Sequence, residues 1–401
     1  ILKLYKNGSL VHTENSIENA QYYPAITHSE SATSTTNFGQ RAFEHTAPSG
    51  YKPVCTALLP TPTIADGSDH FDTSLWTVPS GSANTTISGL SFAPDLLITK
   101  NRSQSYEGSV YDTVRGDDKY LKLFSDSGNA AESTAATRVN LTSDGFVLEA
   151  DNDNSNYGAG SNSVGWVWNA GTSTVSNTDG DITTSLRVNT TAKFSIATYS
   201  GSGTNGDTIG HGLGVEPDFC IIKARNKTDD WRVYHSALGT GKTPALNSNN
   251  AASSGANWQS VSSTTLGLQN DSAINSSSYN YLALFFAAVE GYSAFGSYTG
   301  NGSSDGTFVE TGFRPALVLQ KRSDGSGDWT IHDSKREPGN DVGLYLITNA
   351  STAEQDGNRR DFLSNGFKLR TSSAGVNADG GTYFWAAFAE NPFQANGGLA
   401  Y

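Results

Sequence analysis

The chain has 401 residues, a formal net charge of −13 and a pI near 4.9, and it contains 42 glycines. The negative charge argues against nucleic acid or an anionic membrane as a partner, because both repel an acidic surface. No stretch approaches the roughly 18 consecutive apolar residues of a membrane-spanning helix. Short β-branched and aromatic runs between turns rich in Gly, Ser and Asn predict an all-β protein.

The first segment, residues 1–63, opens with a predicted β-hairpin. Residues 3–5 form one strand, and the Asn-Gly pair of the following turn is typical of a tight hairpin. Two further short strands are predicted at residues 22–26 and 36–40. The motifs YKNG, YPA and NFGQ in this segment resemble the C-terminal half of a SPRY domain, which implies half of a β-sandwich. We therefore expect the chain to be a fragment of a longer polypeptide, with other residues completing this sheet.

Three copies of one β module follow. The motif PDLLITKNR recurs as PDFCIIKARN and PALVLQKRS, and SVGWVWNA recurs as YLALFFAA and YFWAAFAE. A period of about 100 residues is too long for a solenoid, so each copy is expected to be a domain with its own core. The predicted boundaries are a module at 71–170, a linker at 171–193, modules at 194–291 and 292–393, and a tail at 394–401.

Each module is expected to be an antiparallel β-sandwich of the jelly-roll or lectin-like kind. About seven short strands are predicted in module 2, which is typical of two packed antiparallel sheets. The predicted strands are 194–199, 207–209, 218–223, 231–234, 245–247, 264–268 and 281–287. Modules 2 and 3 have no linker between them, so we expect them to dock more rigidly than modules 1 and 2, and the three modules to follow one another as separate beads in a rod.

The repeats also predict which residues are buried. A proline opens each copy of the first repeated motif, just before a predicted buried strand, and it suits the entry of such a strand because proline lacks an N–H group. The closing strand of each module is apolar on both faces and should lie in the centre of a sheet. We expect equivalent positions for Pro94, Pro217 and Pro315, and burial of Trp166, Trp168, Phe286, Trp385 and Phe388.

The repeated motifs, among them FDTSLW, SGLSFAPDLLITKNRS, WRVYHSALG, YSAFGSYTGNG and DFLSNGFKLR, give the chain a further resemblance. Over nearly its full length it resembles tail-fibre-like virion structural proteins of tailed, marine-type bacteriophages, in which a SPRY-like domain precedes tandem β modules. The resemblance implies a virion tail component that is made in the host cytoplasm and acts outside the cell. It implies other tail proteins and a host surface glycan as partners, and a homo-oligomer, for which a trimer is expected.

Aromatic residues on loops are the candidate binding residues. A flat aromatic ring packs against a pyranose while Asn and Ser side chains supply adaptable hydrogen bonds. The glycan-facing candidates are Tyr106, Tyr157, Trp258 and Tyr279. The alternative is that these rings pack beneath their own loops, so a structural fibre segment and a lectin-like binding segment both remain open.

No set of residues typical of an enzyme is found, so the chain is predicted not to be one. A glycan-degrading tailspike would need paired carboxylates in a cleft, and Asp333, Glu337 and Glu390 are the nearest candidates. Glu390 is replaced by Ala170 and Ala288 in the sister modules, so the repeated fold does not require it.

No cofactor is expected. Asp151, Asp153 and Ser155 place oxygen ligands at alternating positions and could coordinate calcium, whereas a solvated turn is the other interpretation. The histidines His211, His235 and His332 lack the spacing of a zinc site.

The two cysteines, Cys55 and Cys220, lie in different segments and have no counterparts in the sister modules. A framework disulfide would normally recur with the module, so both are predicted to be free thiols, in a chain that folds in a reducing compartment.

Overall fold

The computed structural model describes residues 2–6, 9–14, 62–80, 83–116, 118–125, 131–134, 138–150, 156–255 and 257–392. The first two strands, β1 (Leu2–Lys6) and β2 (Ser9–Glu14), pair antiparallel, so the predicted hairpin is present. The strands predicted at 22–26 and 36–40 lie outside the described residues.

Module 1 folds as two antiparallel sheets. Its strands are β3 (Phe71–Thr77), β4 (Thr85–Ser88), β5 (Leu96–Asn101), β6 (Gly108–Asp112), β7 (Lys119–Leu123), β8 (Ser133–Thr134), β9 (Val139–Thr142), β10 (Gly145–Leu148) and β11 (Asn162–Trp168). The larger sheet has the order β3-β11-β5-β6-β7-β8, and the smaller has the order β4-β10-β9. A short 3-10 turn, Gly67–Asp69, precedes β3.

Module 2 repeats this arrangement and extends it. Its strands are β12 (Thr174–Asn177), β13 (Thr184–Asn189), β14 (Phe194–Ser200), β15 (Thr208–Gly210), β16 (Phe219–Ala224), β17 (Trp231–His235), β18 (Trp258–Val261), β19 (Thr265–Leu268) and β20 (Asn280–Phe286). The larger sheet has the order β12-β13-β14-β20-β16-β17, the smaller has the order β15-β19-β18, and a 3-10 turn, Ser236–Leu238, follows β17.

The segment 171–193, predicted to be a polar linker, instead forms β12 and β13, which widen the sheet of module 2. It also binds module 1: Arg187 pairs with Asp95 at 2.8 Å, and the Asn189 amide donates to the Asn169 side-chain oxygen at 2.8 Å. Alternating polar residues concealed the strands because one face of this hairpin is solvated.

The other predicted strands of module 2 are present, with two differences. Residues 245–247 form only an isolated bridge, Arg232 to Ala245, and β18 was not predicted.

Module 3 joins its strands into one sheet. The strands are β21 (Ser293–Thr299), β22 (Phe308–Glu310), β23 (Phe313–Arg322), β24 (Thr330–Asp333), β25 (Val342–Ile347), β26 (Gln355–Leu363), β27 (Gly366–Leu369) and β28 (Thr382–Pro392). Their order is β21-β28-β23-β24-β25-β26-β27-β22, and one short helix, α1 (Ala374–Asn377), precedes β28. The prediction of an all-β chain of antiparallel sandwich modules is confirmed.

The three modules repeat residue by residue. The residue two places after each repeated proline pairs with the closing strand on one side and with the next strand on the other. These rows are Trp168–Leu96–Asp112, Phe286–Phe219–His235 and Phe388–Leu317–Asp333. Pro94 and Pro217 precede their strands, whereas Pro315 lies within β23 at an irregularity in its pairing with β28, where a missing N–H is tolerated.

Each module has two apolar faces. One face packs inside its own sandwich, and these three private cores are separate from one another. The other face, which includes Trp166, Phe286 and Phe388, joins a single core shared by all three modules. Trp168, Phe286 and Phe388 lie in mutual ring contact there, with centroids 5.6 to 6.2 Å apart. The prediction of separate beads in a rod is therefore wrong for this part of the chain.

The modules are arranged cyclically around the shared core. Backbone N–H groups of one module donate to backbone carbonyl groups of the next module. In each case the accepting carbonyl belongs to the first residue after strand β5, β16 or β23. The three bonds run from Glu354 to Arg102, from Glu132 to Arg225 and from Ala252 to Ser323. This is the pattern of a threefold ring, formed within one chain. Where the three faces meet, they leave a small apolar cavity of about 60 Å³.

The residues predicted to be buried are buried. Trp166, Trp168, Phe286 and Phe388 lie in the shared core, and Trp385 lies in the private core of module 3. The closing strand of module 2, β20, is covered on both faces and lies between β14 and β16, as predicted. No helix in the part of the chain that the structure describes has the length and apolarity needed to cross a bilayer.

Replacing Phe286 by Ala is expected to lower the free energy of unfolding by roughly 3–5 kcal/mol, because the ring contacts aromatic residues of both other modules. Urea denaturation measures this loss. The control is Phe308→Ala, since Phe308 is 42% exposed on β22 and its loss should change stability by less than about 1 kcal/mol. Near-native unfolding of the Phe286 variant would show that the shared core is not needed for stability.

Candidate functional site

The loops that follow the three central strands form one end of the ring. Strands β5, β16 and β23 are equivalent, and a cyclic arrangement turns equivalent loops in the same direction. We call residues 102–107, 225–230 and 323–328, with the loops beside them, the loop end. Of the four candidate tyrosine and tryptophan residues, three lie at this end.

Tyr106 and Tyr157 meet at the loop end of module 1. Their rings contact edge to face, with centroids 5.6 Å apart, and Tyr157 is 47% exposed while Tyr106 is half-buried. The buried Asn101 side chain holds both loops: its amide donates to the Tyr157 carbonyl at 3.1 Å, and its oxygen accepts from the N–H groups of Ser103 and Gln104. The pair is therefore a positioned aromatic surface surrounded by polar side chains.

Tyr279 lies at the same end of module 2 and is less available. It is half-buried against the private core, and the Lys227 ammonium lies 5.3 Å from its ring centroid. Lys227 is itself held by Asp229 at 2.6 Å and by the Ser272 hydroxyl at 2.7 Å. One face of the ring is thus occupied by a cation.

Trp258 does not face a ligand. It is 1% exposed, lies on β18 and packs edge to face on Tyr234, with centroids 5.9 Å apart, in the private core of module 2. The prediction failed because the polar residues around Trp258 look like a loop, whereas they form an edge strand with only one buried face.

The carboxylates considered for hydrolysis have structural partners. Asp333 is buried and accepts from Arg336 Nε at 2.5 Å and from Trp166 Nε1 at 3.1 Å. Glu337 accepts from two backbone N–H groups, those of residues 343 and 344. Glu390 is exposed and pairs with Arg314 at 3.0 Å. Asp333 and Glu337 thus serve to hold loops of module 3.

Glu390 lines a polar groove between modules 1 and 3. The groove has a volume of about 380 Å³, and Asp72 and Lys335 also line it. Asp95, a carboxyl group whose pKa is raised by burial, does not line this groove and binds Arg187, Thr113 and the Ala170 N–H.

Buried ionic networks connect neighbouring modules. Glu132 joins Arg115 of its own module to Arg225 of module 2, and Glu354 joins Arg336 of its own module to Arg102 of module 1. Burial by itself would raise the pKa of Glu132, but the hydrogen bonds and charges of the two arginines bring it below its ordinary value. These glutamates are therefore ionised bridges of the ring.

The third junction lacks this network as a whole. Where modules 1 and 3 have a buried Asp and Arg, module 2 has His235 and Leu238, and the bridging glutamate is replaced by Ala252. Burial lowers the pKa of His235 to about 4, so the ring is neutral, and its Nδ1 accepts from the Ala237 N–H at 3.1 Å. Aspartate or histidine at this position accepts a hydrogen bond from a backbone N–H group of the following turn.

Within the described residues, no group of three or more His, Cys, Asp and Glu side chains could hold a metal ion. The calcium candidate at residues 151–155 lies outside them. Cys220 is a free, buried thiol whose pKa is raised by burial, and Cys55 lies outside the described residues.

Comparison with known families gives one match. The family model described as "Domain of unknown function (DUF7483)" matches residues 66–392, which covers all three modules. Comparison with curated proteins and with solved structures gives no match.

Three lysines at equivalent positions are buried near the loop end. Lys100 donates to the carbonyl groups of Asn101 and, across the module boundary, of Ser351, and Lys321 donates to that of Asn249 of module 2. Burial lowers the pKa of Lys100 to about 7 and those of Lys223 and Lys321 to about 8. Lys100 and Lys321 thus tie neighbouring modules together, whereas Lys223 donates to the Ala224 and Lys227 carbonyl groups of its own module, and all three bury their charge.

These lysines predict how stability changes with pH. Their folded pKa values are lowered, so between about pH 7 and the ordinary lysine value of roughly 10.5 these three residues bind more protons in the unfolded chain than in the folded chain. Their contribution to the free energy of unfolding should therefore rise with pH across this window, whereas Cys220 and the buried tyrosines, whose folded pKa values are raised, act in the opposite direction at its upper end. Urea denaturation from pH 6.5 to 9.5 should show a smaller rise for Lys100→Met than for the wild type.

The matched control is Lys335→Met, which removes an exposed lysine. It should leave the dependence on pH unchanged. Equal slopes for Lys100→Met and the wild type would contradict a lowered pKa at this position.

Proposed function

Because the chain belongs to the DUF7483 family of unknown function, we propose a function from its own architecture. We propose that it is a non-enzymatic structural protein of a phage virion, in the tail fibre or its receptor-binding segment, and that its loop end faces the host surface. It is made in the host cytoplasm and acts outside the cell on the tail.

The observation that carries this proposal is the ring of three modules. One chain buries three sheet faces in a shared core and turns three equivalent sets of loops in one direction. Such an arrangement holds variable loops on a rigid support, as surface-recognition proteins do. The resemblance of the repeated motifs to phage tail-fibre-like proteins supports the same function.

Partners follow from this proposal. Other tail proteins hold the chain on the particle, and the chain assembles with copies of itself, with a homotrimer as the expected form. Several copies give avidity for a weakly bound surface ligand. Light scattering of the purified chain distinguishes a trimer from a monomer. The ring of three modules is formed within one chain in either case.

Immunogold electron microscopy tests the location. Antibodies against residues 66–392 should label the tail tip or fibres of the particle that carries this protein. Labelling of the capsid shell, or of free protein with none on particles, would sink the proposal. Antibodies against an unrelated tail protein of the same particle serve as the positive control.

A lectin-like function is the second candidate, and the Tyr106–Tyr157 pair favours it. An exposed aromatic surface with polar neighbours is suited to a pyranose ring. Because Asn101 and its hydrogen bonds hold both loops, little ordering is required when a ligand binds. Trp258 is excluded from this surface by its burial.

A glycan array with the wild-type chain and the double variant Tyr106→Ala/Tyr157→Ala tests this second candidate. The wild type should bind a subset of glycans, and the variant should bind them at least tenfold more weakly, which corresponds to the loss of about 1.4 kcal/mol or more. Val215→Ala, at another exposed apolar residue, should bind like the wild type. Equal binding by the tyrosine variant would exclude the pair, and cleavage of any bound glycan would contradict the non-enzymatic function.

A further inference from the structure

The private core of module 3 contains an arginine without an acidic partner. Arg360, on β26, is fully buried, and its Nη1 donates to the Gln320 side-chain oxygen at 2.7 Å. Its Nε and Nη2 atoms have no hydrogen-bond partner among the described residues. Two nitrogens of a guanidinium group, which carry three N–H donors, are therefore enclosed and unused.

Further donors lie on the same face of the sheet. Gln320 on β23 lies directly opposite Thr330 on β24, and residues paired in this way share a face with Cβ atoms about 5 Å apart. The Thr330 hydroxyl also lacks a partner in the described part of the chain, and the Gln320 amide lies beside the Tyr298 hydroxyl. His332, two residues along β24, is fully buried, with backbone groups of Gly357 and Asn358 beside its ring.

No acid balances this group of donors. Burial lowers the pKa of Arg360 to about 10, which leaves it charged at neutral pH, and the ionisable group that offsets this effect is the Tyr298 hydroxyl. Burial, together with the charges of Arg360 and Arg336, lowers the pKa of His332 far below its ordinary value, so this imidazole is neutral. A buried cation is normally paired with an anion, because its desolvation is otherwise uncompensated.

The sister modules show that the fold itself does not require these residues. Arg360 pairs with Leu369 as Val139 pairs with Leu148 and as Trp258 pairs with Leu268, so Val139 and Trp258 occupy the position of Arg360. The Gln320 position holds Thr99 in module 1 and Ile222 in module 2. Two of the three copies therefore have no arginine in this core, and a buried arginine in the third has a different purpose.

We propose that module 3 binds a small inorganic anion, of the size and charge of chloride, between Arg360, Gln320 and Thr330. The class of ligand follows from the enclosure: Arg360 and Gln320 are almost completely inaccessible, so a glycan, a nucleotide or a lipid cannot reach them. A monatomic anion accepts hydrogen bonds from the free guanidinium N–H groups and from the Thr330 hydroxyl, beside the Gln320 amide. This site is independent of the loop end and of the function proposed for it.

Thermal unfolding of the full chain in chloride tests the site. At constant ionic strength, with sodium gluconate replaced stepwise by sodium chloride, the Tm should rise by about 2–4 °C between 1 and 100 mM chloride, because a ligand that binds only the folded state stabilises it. The Arg360→Met variant should fold, since modules 1 and 2 place apolar residues at this position, and its Tm should not depend on chloride.

The matched control is Arg359→Met. Arg359 is the adjacent, largely exposed arginine and pairs with Asp341 and Asp356. Its removal changes the net charge equally but should preserve the chloride dependence. Gln320→Met is a second variant at the site and replaces Arg360→Met as the test if that variant does not fold. It should weaken the dependence of the Tm on chloride.

Crystals of wild-type protein refolded in bromide provide the direct measurement, since refolding removes any barrier to entry. An anomalous peak within hydrogen-bond distance of Arg360 Nη2 supports the site. Water density without anomalous signal at that place, or a wild-type Tm that is the same in chloride and in gluconate, would overturn the proposal.

Discussion

The structure depends on the burial of a second apolar face in each module. A sandwich covers one face of its larger sheet with its own smaller sheet, but the closing strands β11, β20 and β28 are apolar on both faces. The outer face of each module is covered by the sheets of the other two modules, and the three modules together close a ring. Trp168, Phe286 and Phe388 meet at the centre of that ring, so each module depends on the other two for the burial of its largest side chains.

Polar groups at the module junctions bind neighbouring modules to each other, in addition to the shared apolar core. Backbone hydrogen bonds are retained at all three junctions, whereas the Asp–Arg–Glu–Arg network is retained at two and replaced as a whole at the third. Partial replacement would leave a buried charge without its partner, which costs more than losing the complete network. The comparison of the three junctions therefore indicates that these residues act as one unit.

This division of roles leaves two regions free to specialise. The first residue of each loop, Arg102, Arg225 or Ser323, belongs to a module junction, whereas the tips of the loops contribute nothing to the shared core. The Tyr106–Tyr157 pair is a feature of module 1 alone. The private core of module 3 differs in a second way, since Arg360 and Gln320 replace residues that are apolar or small in the sister modules. The three copies thus share the support and differ at the loop end and in the private core of module 3.

The sequence by itself determined the all-β class, the threefold repetition, the register of the modules and the burial of the closing strands, because these depend on local alternation and on comparison of the copies. Only the tertiary structure decided what covers the outer faces, because an apolar pattern states that a face is buried and does not identify its partner. For the same reason β12 and β13 looked like a linker and the segment of Trp258 looked like a loop, because these strands have one solvated face. The contact of Tyr106 with Tyr157 joins two loops that are far apart in the sequence of module 1, and only folding brings them together.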